Sequence, residues 1–218
     1  MSNAIYQATV KTFTHNLKNL SAILKTAAKD AKARGIDPEV LLVARLAPDM
    51  LPLTSQVQMA TDNAKGACAR LAGVEAPVFK DDETTFAQLQ TRIKNTLAFL
   101  RLLKPAQFEG SEAREVVITL SVGNLVFNGV DYLNGFALPN FYFHTSAAYN
   151  ILRSNGVSLG KMDFLGRVPG MSATGEIAKM MNLPVAKSKP KAKPKAKAKP
   201  KAKPKAKPKA KKAAGKKR

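Results

Sequence analysis

PLTSQVQMATDNAKGACARLAG, residues 52–73, is the stretch whose reading decides the fold. Leu53, Val57, Ala60, Ala64, Ala67 and Leu71 recur at steps of four and three, the period of one helix face and not of a strand. Pro52 suits a first turn, where a missing N–H costs nothing, and Gly73 offers a stop. Alanine at successive seam positions lets a partner helix approach closely, so the segment is expected to be one member of a helical bundle.

Working outward, Tyr6, Val10, Phe13, Leu17, Leu20, Leu24, Ala27 and Ala31 give a long first helix that Gly35 ends. Asp37 and Pro38 restart a short helix, with Asp as cap and Pro at its first position, and Pro48 breaks the chain again. Beyond Gly73 a linker, VEAPVFKDDETT, leads into a third helix carrying Phe86, Leu89, Ile93, Leu97, Leu100 and Leu103, which Lys104-Pro105 ends. The period then changes. In EVVITLSVGNLVFNG, residues 115–129, Val116, Ile118, Leu120 and Val122 share one face, with Glu115, Thr119 and Ser121 on the other, and Gly123-Asn124 reads as a two-residue hairpin loop. A fourth long helix spans about 130–155, with Pro139 expected to kink it and Gly156 to end it. The expected fold is all-α: an antiparallel four-helix bundle with a small β-hairpin before the last long helix.

Of the 218 residues, 36 are Lys or Arg and 15 Asp or Glu, a formal charge of +21, but that charge is unevenly placed. Residues 186–218 hold sixteen Lys and one Arg and no acid, so the rest of the chain is only mildly basic. Cys68 is the single cysteine, which excludes an intramolecular disulfide and a Cys-rich zinc site. No stretch has the character of a signal peptide or of a membrane span. The expected compartment is therefore the cytoplasm.

Chemistry is sparser. In LPNFYFHTSAAYN, residues 138–150, the seam Val130, Leu133, Ala137, Asn140, His144, Ala147 and Ile151 puts Asn140 and His144 inward, one turn apart. A buried polar side chain left unpaired costs about 1–3 kcal/mol, so the pair is either a structural network or a pocket floor. Phe141, Tyr142 and Phe143 add aromatic bulk beside it. His15, two residues past Phe13, is expected to face solvent, and Cys68, beside Ala67, to act as a small buried hydrophobe. No P-loop, dinucleotide-binding glycine motif, serine elbow or H-E-x-x-H is present, so those reaction classes have no support.

Four strings, RLAPDMLPLTSQVQMATDNAKGACARLAG, ETTFAQLQTRIKNTLAFL, ALPNFYFHTSAAYNILRSNGV and LGKMDFLG, together resemble a bacterial family, the domain of unknown function nineteen-ninety-three, placed among the DinB-like bundles. The resemblance runs from about Tyr6 to Gly166. It implies the bundle fold, a candidate pocket and homodimers through helix faces. DinB-like bundles include metal-dependent and thiol-dependent enzymes. Their metal sites take one histidine from the second long helix and two, spaced H-x-x-x-H, from the fourth. Here only His144 matches; Asn140 and Ala148 stand four residues to either side, and the second long helix offers Gln56, Gln58, Asp62 and Asn63. A catalytic zinc wants three such ligands, so no metal or other cofactor is expected, and the chain is read as leaning away from an enzyme. The resemblance leaves a divalent metal at His144, or a thiol-dependent reaction, as the alternative. The candidate pocket is Gln56, Asp62, Asn140, Tyr142 and His144.

The tail repeats K-P-K-A: Lys189, Lys191, Lys193, Lys195, Lys197, Lys199, Lys201, Lys203, Lys205, Lys207, Lys209, Lys211 and Lys212 recur at nearly every second position between prolines. Such a segment repels itself and has nothing to bury, so it is expected to be a disordered, extended arm. Its composition resembles that of linker-histone tails. No aromatic or base-reading side chain interrupts the lysines, so it is expected to bind nucleic acid through phosphates without regard to sequence, at the nucleoid. Another polyanion, or the surface of an anionic granule, is the other partner such an arm would suit. The expected organisation is a bundle over 1–166, a linker over 167–185 with a helical turn or two near Gly175 to Met181, and the tail over 186–218.

Overall fold

The computed structural model describes residues 4–180 and 183–186, so the tail lysines lie outside the described residues. The chain divides into two compact units, one ending at Gly170 and the other beginning at Met171.

In the first unit α1 (Ala4–Tyr6) passes through a π-helical turn, Gln7–Lys11, into α2 (Thr12–Ala33). The expected seam is buried from Val10 to Ala31, but before the π turn the inward position falls on Ile5, leaving Tyr6 half-buried against Phe108. The Thr12 hydroxyl donates to the Gln7 carbonyl at 3.2 Å, five residues back, as the wider turn allows. A short α3 (Glu39–Leu42) follows, capped by Asp37, whose carboxylate accepts the Glu39 N–H at 3.0 Å.

The six seam residues of α4 (Leu53–Ala72) are all fully buried, and Gly73 ends the helix at φ 66° in the left-handed region. In α5 (Phe86–Leu102) Thr85 and Gln88 form a reciprocal capping box: the Thr85 hydroxyl accepts the Gln88 N–H at 3.2 Å, and the Gln88 amide oxygen accepts the Thr85 N–H at 2.9 Å. The hairpin β1 (Glu115–Leu120) and β2 (Gly123–Asn128) pairs Leu120 with Gly123, so Ser121-Val122 makes the loop and not the expected Gly123-Asn124. This register sets Val116 opposite Phe127 and Ile118 opposite Leu125, keeping large apolar side chains together on one face. The shift is an even number of residues, so no side chain changes face.

The last long helix begins as α6 (Gly129–Asp131), widens into a second π turn, Tyr132–Ala137, and continues as α7 (Leu138–Ser154). Pro139 therefore sits in the first turn after a π turn and not in the interior of a continuous α-helix. The wider turn accommodates a ring that would otherwise collide with the preceding turn. A short α8 (Lys161–Leu165) closes the unit. Around the bundle, α2 packs on α5 and α7, and α4 packs on the same two, which closes the four-helix ring. In the second unit α9 (Glu176–Met180) lies between Ala173 and Val185, which form a parallel bridge. Among the described residues no helix is long and apolar enough to cross a membrane.

Candidate functional site

His144 and Gln56 meet at the α4–α7 interface. The Gln56 side-chain N–H donates to the Leu51 carbonyl at 3.1 Å, which turns its amide oxygen toward His144, 2.8 Å from Nδ1. An amide oxygen only accepts, so Nδ1 carries the proton and Nε2 keeps the lone pair. Both residues are buried, and burial pushes His144 below its ordinary value of 6.5, so the imidazole is neutral at pH 7. Nε2 has no hydrogen-bond partner among the described residues. The arrangement is therefore a held, neutral imidazole able to accept a hydrogen bond or a proton.

The rest of the expected pocket does not assemble there. Asn140 is half-buried, and its side chain makes no hydrogen bond among the described residues. Tyr142 lies two residues from His144, which on a helix is the opposite side. It lines a different cavity, of about 320 Å³, with Lys11, Thr12, His15, Asn16 and the α8 residues Phe164 and Leu165. Asp62 belongs to a third place: its carboxylate pairs with Arg92 at 2.6 Å and Lys65 at 2.8 Å.

Arg92, which the sequence did not single out, is the best-connected polar residue described. Its side chain is 1% exposed, and it reaches Asp62, Asp81 at 2.9 Å, Glu83 at 3.0 Å, the Thr61 hydroxyl at 2.7 Å and the Lys80 carbonyl at 2.9 Å. The guanidinium fork pins the 78–85 segment to α4 and α5, with the Phe79 ring beneath it at 5.4 Å. Burial works to raise the Glu83 carboxyl. The hydrogen bonds from Gln58 and Arg92 and the Arg92 charge outweigh it, and the group sits below its ordinary range.

His15 does not simply face solvent. Its Nε2 lies 2.7 Å from the Leu165 carbonyl, and Asn19 donates to the Leu165 and Phe164 carbonyls at 2.9 and 3.1 Å, so α2 holds the end of α8. Cys68 is fully buried as expected, and burial drives its thiol far above the usual range, which removes it as a nucleophile. A metal of the kind DinB-like bundles use does not fit these side chains. His144 is met by an amide and by no carboxylate or second imidazole, and among the described residues no three His, Cys, Asp or Glu are placed to hold a metal ion; the three carboxylates that do converge close on the Arg92 cation.

The family description that matches is the domain of unknown function (DUF1993), over residues 5–165. The crystal structure of a DinB family member protein from Shewanella denitrificans is similar at 40% identity and a TM-score of 0.72, covering 77% of this chain and 95% of that one. No curated protein matches the chain. The matched residues run through the bundle to the end of α8, so the chain belongs to the DUF1993 family of DinB-like domains of unknown function.

Proposed function

We propose that this protein is a DinB-like bundle carried on nucleic acid by its lysine tail. The observation that supports it is the sequence of residues 186–218, with sixteen Lys, one Arg and no acid, attached to the bundle. Duplex DNA presents one phosphate charge per ~1.7 Å of axis, and lysines that track it release condensed counterions. With about eight lysines engaged, log K against log salt falls with a slope near −7. Nothing in the tail reads base edges, so binding is indifferent to sequence and places the protein at the nucleoid.

Fluorescence anisotropy of a short labelled duplex, titrated with the full chain at several salt concentrations, tests this. The expected result is tight binding at low salt, a steep salt slope and equal affinity for scrambled sequences. Changing every tail lysine to Gln should remove that tail contribution, about 7, from the steepness of the slope. Absence of binding by the full chain at low salt overturns the reading.

A further inference from the structure

The face that α2 and α5 share carries cations without acids. A groove of about 300 Å³ is lined by Lys11, Lys18 and Arg101 above Leu97 and Leu100. It runs into a second of about 320 Å³, lined by Lys25, Lys94 and the same Arg101 and Leu97. No Asp or Glu lines either cavity, and none of these five cations makes an ion pair among the described residues.

The spacing is regular for a physical reason. Lys11, Lys18 and Lys25 step by seven along the first helix, as do Lys94 and Arg101 along α5, and seven residues return to the same side of a helix. At ~1.5 Å per residue the line from Lys11 to Lys25 is about 21 Å long. Its floor is held rigid where Ser21 donates to the Gln90 amide oxygen at 2.5 Å and Gln90 donates back to the Ser21 carbonyl at 2.9 Å.

We propose that this α2–α5 groove is a second nucleic-acid contact, on the body itself, that takes the phosphodiester backbone of one strand. A duplex strand carries a phosphate at every nucleotide, so a line of five cations about 21 Å long faces a run of successive phosphates of one strand. Leu97 and Leu100 make the apolar part of the floor, and the polar groups of Ser21 and Gln90 beside them are bonded to each other. The choice of partner rests on the tail reading above; the location does not. The tail supplies reach, and the groove fixes which side of the bundle faces the nucleic acid.

The test uses the full chain and a labelled duplex. Three variants are compared: K18Q/K25Q/K94Q/R101Q in the groove, every tail lysine changed to Gln, and K161Q/R167Q as exposed cations elsewhere. The groove variant should lose about 3.6 from the steepness of the salt slope, ~0.9 per cation, while K161Q/R167Q leaves it unchanged. The tail variant should keep weak binding at low salt, with a slope near −4. Retained binding by the charge-preserving K18R/K25R/K94R/R101K variant supports a charge effect and not damage to the fold. A groove variant with the wild-type slope, or a tail variant that no longer binds while the wild type does, overturns the groove and leaves the tail reading standing. A tail variant that binds like the wild type overturns the tail reading and leaves the groove.

Discussion

His144 Nδ1 lies 2.8 Å from the Gln56 amide oxygen, and the other half of that amide is committed to the Leu51 carbonyl, so the imidazole is held in one tautomer by residues of α4 and the turn before it. Gln56→Leu should therefore leave a buried N–H without a partner. The expected cost is about 1–3 kcal/mol, read as a lower midpoint in urea denaturation. An unchanged midpoint would mean that water replaces the amide.

The same burial predicts a pH dependence. His144 in the folded chain titrates below its ordinary 6.5, so the unfolded chain binds a proton first as pH falls. The stability contributed is complete above 6.5 and is lost as pH drops through the lower folded value. His144→Asn should flatten the stability profile in that window. A wild-type profile that is already flat between neutral pH and the carboxylate range would contradict the assignment.

Arg92 is the polar residue whose loss should be felt most. Removing it strands Glu83, which is 10% exposed, whereas Asp81, 61% exposed, contributes little. Arg92→Met should cost about 3 kcal/mol, and Arg92→Lys should recover little because an ammonium cannot fork to three carboxylates. Glu83 titrates below 4.5, so its contribution is present above that value and fades as pH falls through the lower folded one; Glu83→Gln should blunt acid denaturation there. Chemical denaturation across pH checks both, and a loss under about 1 kcal/mol for Arg92→Met would place the network with ordinary surface pairs.

Gly129 tolerates no side chain. A Cβ there would stand 1.8 Å from the Ser111 carbonyl oxygen and 3.1 Å from a Leu71 methyl. The nearer atom is backbone and cannot swing aside, so Gly129→Ala should destabilise by about 2–3 kcal/mol. A thermal melt within a degree or two of wild type would show that the hairpin base can shift.

Cys68 should resist alkylation in the native chain at mildly alkaline pH and react fully once denatured, since it is buried and its thiol is driven upward. Intact-mass measurement after iodoacetamide decides it; rapid native modification would imply that the α4 seam opens.

Periodicity made the helices legible because a seam such as Leu53 to Leu71 is a local property of the chain. What it left unread is long-range or depends on one extra residue in a turn. Asp62 looked like a pocket carboxylate because nothing near it in sequence reveals Arg92, thirty residues away. Tyr142 and His144 looked like neighbours, yet two residues on a helix point to opposite sides. The π turn at Tyr132–Ala137 shares the apolar pattern of an α-helix, so Pro139 was the only sign of it. His15 was misread because its partner, the Leu165 carbonyl, lies 150 residues further on.

That last separation bears on the order in which the molecule assembles. A five-residue helix such as α8 cannot stand alone in water. Its terminal carbonyls are held by His15 and Asn19, which leave the ribosome some 145 to 150 residues earlier. The early helix must therefore wait, with those groups hydrated, until nearly the whole bundle has been synthesised. A short segment with few anchors, hydrogen-bonded to α2 through its end, is the first to open again. Amide exchange should find α8 the least protected helix of the bundle, leaving the Tyr142 cavity periodically unroofed while the remaining helices stay folded.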